Sequence, residues 1–147
     1  MKRRGIQLSS RHKRWFYSVS TLLFLSGAAW MLFSRMAERN ERRADFLLLM
    51  KTWSLKLHGA AAMAFLVALG ILIPVHMKRA WHARRNRVNG ACFVTAVGLL
   101  VVTGYGLYYF GNEQWRSAAS WIHLILGFAA PVLLAWHIWL GRQATRR

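Results

Sequence analysis

The sequence predicts an all-α integral membrane protein: a four-helix bundle with both termini in the cytoplasm. Three observations lead to this prediction. The hydrophobic fraction is 56%, above the roughly 45–50% typical of soluble domains. Four long stretches lack Lys, Arg, Asp and Glu, and the basic residues gather at the ends of these stretches. A chain of 147 residues has the length of one domain rather than two.

Each uncharged stretch is long enough to cross a bilayer as a helix, which takes about 20 residues. The stretches cover residues 15–34, 57–77, 88–112 and 117–141. We therefore expect membrane spans at about residues 15–34, 57–77, 88–110 and 118–140, joined by a mixed-charge loop at 35–56, a basic loop at 78–87 and a short turn at 113–116. A cleavable signal peptide is an alternative for the first stretch, but its apolar part exceeds the usual 7–15 residues.

Charge predicts the orientation. The N-terminal tail, the loop at 78–87 and the C-terminal tail carry six, five and three basic residues, which is 14 of the 21 in the chain, and no acidic residue. By the positive-inside rule these segments face the cytoplasm. The net charge of +17 therefore indicates contact with membrane lipid head groups, and no nucleic-acid partner is expected. The predicted location is the cell inner membrane, as a multi-pass protein.

Four of the six histidines lie within or at the ends of the predicted spans. His58 and His76 are in the second, and His123 and His137 are in the fourth. Ionisable residues at membrane depth are costly and usually face the bundle interior and a functional partner. At about 100° per residue, the separation of the first two returns to the same helix face, and that of the second two misses it by about 40°. Each helix therefore carries its two imidazoles on one side.

Depth predicts how these histidines pair. Both helices run from outside to inside, so His58 and His123 lie nearer the outer surface, and His76 and His137 nearer the inner one. Two facing pairs result, His58 with His123 and His76 with His137, each able to hold a haem iron between two helices. The rises within the two helices are about 27 Å and about 21 Å, and Pro74 can redirect the second helix before His76. One or two haem b groups are therefore expected.

The other candidate residues have two interpretations each. Cys92 lies in an apolar stretch and is expected to be a buried, inert thiol, and no C-x-x-C-H run is present for covalent haem attachment. Ser54 and Ser120 could accept the ring N–H of His58 and His123, or could cap helices. Small residues could admit a flat macrocycle or close helix packing: Gly59, Ala62, Gly70, Gly98, Gly104 and Gly127. Cations for haem propionates could equally be ordinary span flanks: Lys51, Lys56, Arg116, Lys78, Arg79 and Arg142. His12 and His82 are expected on the surface.

With these residues in place, the sequence resembles the di-haem membrane cytochrome b families: the b subunits of membrane formate dehydrogenases and nickel–iron hydrogenases, and the small bacterial cytochrome b561 proteins. The resemblance is carried by the four-span layout and by the last-helix pattern S-x-x-H-x-x-x-G-x-x-x-P-x-x-x-x-x-H, formed by Ser120, His123, Gly127, Pro131 and His137. The first span has no histidine, unlike the formate dehydrogenase type. Two ligands on each of two helices is closer to the cytochrome b of respiratory bc complexes.

The resemblance implies a membrane electron carrier. In this hypothesis, two b haems relay electrons between the quinone pool and a periplasmic or membrane redox protein, and the chain is the electron-transfer subunit of an oxidoreductase. A non-redox scaffold or assembly subunit, in which the histidines only join helices, is the alternative. A metal-handling or ferric-reductase-like protein is a third possibility, but the loop at 35–56 has no Cys or His and only three acids, which is poor provision for a metal.

Overall fold

The computed structural model describes residues 10–39, 43–72 and 87–146. This part of the chain is helical apart from short connections. Its four helices are α1 (Ser10–Arg39), α2 (Ala44–Leu72), α3 (Arg87–Tyr109) and α4 (Glu113–Arg146). The predicted all-α class is confirmed. His76, Pro74, His82 and most of the loop predicted at 78–87 lie outside the described residues.

All four helices are long and apolar enough to cross a membrane, with a mean hydropathy of 1.5 to 1.9 in their most apolar windows. Between 6% and 17% of the residues in those windows are buried within the protein, so most of their apolar surface faces outward. A soluble protein rarely exposes apolar patches of that extent, because contact with water is unfavourable. Lipid removes this cost, since its tails are as apolar as leucine. The prediction of four helices long and apolar enough to span a membrane is therefore confirmed.

The helices pack in two units, and the chain divides between them near Ile71. In the first unit, the ring of Phe16 on α1 lies 5.4 Å from that of Phe65 on α2, centroid to centroid. Lys51 on α2 places its ammonium 5.7 Å from the ring centroid of Trp30. An early residue of α1 thus contacts a late residue of α2, and the reverse. The two helices form an antiparallel hairpin.

In the second unit, α3 and α4 pack together, and the connection between them comprises residues 110–112. The side-chain oxygen of Asn112 accepts backbone N–H bonds from Gln114 at 2.9 Å and from Trp115 at 3.2 Å. This is the pattern of a helix N-cap, which satisfies donors that have no partner within the helix. A connection this short makes α3 and α4 antiparallel neighbours.

Two predicted connections are largely helical. The loop expected at 35–56 contains the last turn of α1, which ends at Arg39, and the first three turns of α2, which begins at Ala44. The turn expected at 113–116 is the first turn of α4, where Arg116 pairs with Glu113. Charged residues mark the limit of the hydrocarbon layer, but Arg, Glu, Lys and Leu are good helix formers. The helices therefore extend past the uncharged stretches.

Two further features differ from simple expectation. Pro131 lies inside α4 without ending it, although its ring nitrogen cannot donate to the carbonyl of Gly127 one turn earlier. Cys92 is exposed on α3, so the expectation of a buried thiol is wrong. Because α3 is a membrane-length helix, its apolar residues need not be covered by other helices. Hydropathy does not distinguish an apolar residue that packs against another helix from one that is exposed on the helix surface.

Candidate histidine sites

His58 on α2 is held by the middle of α1. Its Nδ1 atom lies 3.0 Å from the backbone oxygen of Leu23 and 3.4 Å from Oγ of Ser26. Ser26 is buried, with 4% of its surface exposed, and its hydroxyl donates to the same Leu23 oxygen at 3.1 Å. A carbonyl oxygen can only accept, so the short contact requires that Nδ1 carry the proton. The neutral ring then has its lone pair on Nε2.

His123 on α4 makes the same contacts with α3. Its Nδ1 atom lies 3.1 Å from the backbone oxygen of Leu100 and 3.1 Å from Oγ1 of Thr103. Thr103 is buried, with 6% of its surface exposed, and its hydroxyl donates to the Leu99 oxygen at 2.6 Å. The N–H of His123 is therefore shared between a carbonyl and a hydroxyl oxygen, and its lone pair is again on Nε2.

A glycine lies beneath each ring. A Cβ atom added to Gly27 would lie 3.0 Å from Cε1 and 3.1 Å from Nδ1 of His58, but 3.9 Å from Nε2. A Cβ added to Gly104 would lie 3.2 Å from Cε1 and 3.6 Å from Nδ1 of His123. Both rings thus rest their Nδ1–Cε1 edge on the partner helix. No larger residue fits without moving the ring.

These contacts come from one motif that occurs twice, Leu-x-x-Ser/Thr-Gly. Residues 23–27 form it in α1 and residues 100–104 form it in α3. Positions i, i+3 and i+4 lie on one side of a helix, so the carbonyl, hydroxyl and glycine all reach the same ring. From the sequence alone, Gly104 was singled out only for contact with haem or for helix packing. Five further residues of the two motifs were not recognised as part of a site: Leu23, Ser26, Gly27, Leu100 and Thr103. The repeated motif, each time one helix before a histidine, is the signal that would have found them.

The hydroxyl partners therefore belong to the neighbouring helix. The sequence had offered Ser54 and Ser120, within the histidines' own helices, either as acceptors of these N–H groups or as helix caps. A hydroxyl at i−3 or i−4 shares a face with the imidazole, but both rings turn toward the antiparallel partner, where a backbone oxygen is within reach. His58 lies near the middle of α2, because that helix begins at Ala44, well before the uncharged stretch.

His137 has contacts of a different kind. Its ring stacks on Phe93 with centroids 5.4 Å apart and planes 20° apart, and its Nδ1 atom lies 3.2 Å from Nδ2 of Asn89. In this amide orientation Asn89 donates and Nδ1 accepts, which puts the ring proton on Nε2. Rotating the amide by half a turn would let its oxygen accept from Nδ1–H instead. The α4 rings of His123 and His137 both contact α3, as the predicted single face requires.

The glycines expected to admit a macrocycle fall into two groups. A Cβ added to Gly59, Gly70, Gly98 or Gly127 would meet no atom of its surroundings within 4 Å, so these positions are open. Gly104 instead supports His123. In the described ranges, no cluster of three or more His, Cys, Asp or Glu residues could hold a metal ion.

Comparisons of the chain with protein-family models, curated proteins and solved structures found no match. The geometry of the histidine sites is therefore the basis for assigning a function.

Proposed function

We propose that the chain is a membrane b-type cytochrome in which His58 and His123 are haem ligands. The observation that supports this is the repeated motif, which directs Nδ1 of both rings to a backbone carbonyl. Ligating histidines typically donate their other ring N–H to a carbonyl or carboxylate, which fixes the tautomer and raises the basicity of the ligating nitrogen. The same arrangement on two hairpins favours a shared chemical role.

A bound haem would supply one-electron chemistry, and the chain's own residues would orient it. Leu23 and Leu100 hold the ring protons through their carbonyls, while Gly27 and Gly104 let the rings approach the helices closely. The hydroxyls of the buried Ser26 and Thr103 contact the Nδ1 atoms. The donor set therefore fits haem ligation through Nε2. The pairing of His58 with His123 on one iron remains a prediction from the sequence.

A second haem is proposed at His137, with His76 as its predicted partner. His137 lies 14 residues after His123 on α4, a rise of about 21 Å, and its contacts with α3 keep both rings on one side of the helix. Ligation by His137 through Nε2 requires the rotated amide of Asn89. Two sites along one helix would let electrons cross much of the membrane thickness.

Orientation and partners belong to the same proposal. With both termini cytoplasmic in the inner membrane, the relay would connect the quinone pool with a periplasmic or membrane redox protein, and the chain would serve an oxidoreductase as its electron-transfer subunit. Reporter fusions after Gln143 and within residues 84–87 should report the cytoplasm, and one near Glu41 the periplasm. An external C-terminus would contradict this topology.

The scaffold alternative is favoured by the same hydrogen bonds. Contacts from His58 to α1 and from His123 to α3 join the helices of each hairpin, and membrane bundles use such polar contacts for that purpose. The two functions require different atoms, however. Joining helices needs only the Nδ1–H donor, whereas ligation also needs the lone pair of Nε2.

Asparagine substitution separates these atoms, because its amide N–H can replace Nδ1–H and it has no counterpart of Nε2. We expect the purified parent protein to show the reduced absorption bands of b haem. His58→Asn and His123→Asn should each lose haem while the thermal unfolding temperature stays close to that of the parent. Haem-to-protein stoichiometry and circular dichroism on heating are the measurements.

His12→Asn is the matched control, because His12 is exposed on α1 and should keep the full haem content. A colourless parent protein after haem-replete growth, with both asparagine variants equally stable, would contradict the cytochrome and support the scaffold.

A further inference from the structure

Two buried polar atoms on α1 are left without partners in the first hairpin. Ser34 has 9% of its surface exposed. Neither its hydroxyl nor the indole N–H of Trp30 has a hydrogen-bond partner within the described ranges. Buried polar groups are nearly always paired, since losing hydration without a replacement bond is costly. These two groups therefore indicate a partner that the described part of the chain does not supply.

The two groups lie on the same side of α1 as the residue that contacts His58. Ser26, Trp30 and Ser34 are spaced four residues apart, so they follow one another along one helix face. Lys51 extends this polar stripe from the other helix, because its ammonium lies 5.7 Å from the Trp30 ring centroid. Lys51 precedes His58 by seven residues, or about 10.5 Å of helix. The stripe therefore leads from His58 toward the α1–α2 connection.

The polar groups of this stripe are mainly hydrogen-bond donors. An indole N–H and an ammonium group can only donate hydrogen bonds, and a serine hydroxyl can donate as well. Within the described ranges, no carboxylate forms an ion pair with Lys51. The Trp30 indole, the Ser34 hydroxyl and the Lys51 ammonium are thus three donor groups, one of them positively charged. Within the described ranges they have no anionic acceptor.

We infer that Trp30, Ser34 and Lys51 form a binding site for an anionic oxygen group, a carboxylate or a phosphate. Charge-assisted hydrogen bonds to such a group would satisfy both buried donors and neutralise the ammonium. Two sources have this chemistry. One is a propionate of a haem ligated by His58, which rests on the proposed function, and the other is the phosphate of a lipid head group at the membrane surface.

The test uses the purified full-length protein and the variants Ser34→Ala, Lys51→Gln and Lys56→Gln. Lys56 is the matched control, because its ammonium also lies over a tryptophan ring, 4.8 Å from the centroid of Trp53, but that tryptophan is 59% exposed. One arm compares binding of haem b with binding of its dimethyl ester, which lacks the propionate charges. The other arm measures retained phosphatidylglycerol by native mass spectrometry.

If the site binds a propionate, the parent and Lys56→Gln should prefer haem b over the ester by about tenfold, the size of one charge-assisted hydrogen bond. Lys51→Gln should lose that preference and Ser34→Ala should reduce it. If the site binds lipid, the parent and Lys56→Gln should retain a phosphatidylglycerol that Lys51→Gln and Ser34→Ala lose.

Equal behaviour of Lys51→Gln and Lys56→Gln in both arms would overturn the inference. A parent that binds neither haem b nor the ester would contradict the proposed function instead. In that case the lipid arm alone decides the site.

Discussion

The two hairpins hold a histidine ring in the same way, although their helices differ in length. In the first, α1 and α2 have 30 and 29 residues, and the histidine follows its carbonyl partner by 35 positions. In the second, α3 and α4 have 23 and 34 residues, and the separation is 23 positions. In both hairpins, nevertheless, a leucine carbonyl, a hydroxyl group and a glycine lie against the histidine ring. The geometry of the site is therefore set by the five-residue motif and not by the connection.

The two hairpins also differ in the other described side chains of the helix that carries the histidine. On α4, the second ring, His137, stacks on Phe93 and contacts an amide, so one hairpin contains two different histidine environments. His76, the predicted partner of His137, lies outside the described residues. The Leu-x-x-Ser/Thr-Gly motif therefore marks the sites of His58 and His123, whereas His137 contacts an aromatic ring and an amide.

Removing a motif histidine should have the largest effect. We expect the parent to bind two haems and His58→Ala or His123→Ala to bind one, because a haem held by two axial ligands is lost when either is missing. Haem-to-protein stoichiometry measures this. If each variant removed a different haem, as judged from the reduced spectra, the predicted pairing across the hairpins would be wrong.

The inner pair requires its own variants. His137→Ala should remove the other haem, and His76→Ala tests its predicted partner. A parent with one haem that His76→Ala does not change would leave a one-haem cytochrome and eliminate the two-haem relay.

Filling the space beneath the rings should have the next largest effect. Gly27→Ala and Gly104→Ala place a methyl group 3.0 and 3.2 Å from Cε1 of the ring, so each should move the ring and lower haem affinity by about tenfold or more. Gly98→Ala is the matched control on α3, since its Cβ would meet nothing within 4 Å. Haem titration of the apo-protein is the measurement. A Gly98→Ala loss as large as that of Gly104→Ala would show a general effect on α3.

The inner site should respond to its own amide. Asn89→Leu removes the group that contacts Nδ1 of His137 at similar volume, and should weaken the inner haem by about tenfold while the outer haem is unchanged. Separate redox titration of the two haems distinguishes them. An unchanged inner haem would mean that the amide keeps its donating orientation and that His137 is not ligated through Nε2.

The motif hydroxyls should have the smallest effect. Ser26→Ala and Thr103→Val remove one acceptor of the ring N–H, but the carbonyls of Leu23 and Leu100 remain. We expect haem to be retained and its midpoint potential to shift. The shift should be larger for Thr103→Val, because Thr103 is 3.1 Å from Nδ1 whereas Ser26 is 3.4 Å away. Equal potentials in the parent and both variants would exclude a role for these hydroxyls in tuning the ligand.

Hydropathy alone predicted four membrane-length helices at about these places in the chain. Helices α2 and α4 begin before the uncharged stretches from which the spans were predicted, because charge limits the hydrocarbon layer and not the helix. The histidines could be singled out because ionisable residues are rare at membrane depth. Their main acceptors are harder to recognise, because they are the backbone oxygens of Leu23 and Leu100, and every residue type has such an oxygen. Only the repeated Leu-x-x-Ser/Thr-Gly motif marks them in the sequence.

Each motif also constrains the order in which the protein can be assembled. The hydrogen bonds of His58 with Leu23 and Ser26 join α2 to α1, and those of His123 with Leu100 and Thr103 join α4 to α3. The first imidazole can therefore be oriented as soon as two helices have entered the bilayer, while the second half of the chain is still being synthesised. Both rings would then be in position before any cofactor arrives, so cofactor insertion can be a late step of biogenesis that leaves helix pairing within each half unchanged.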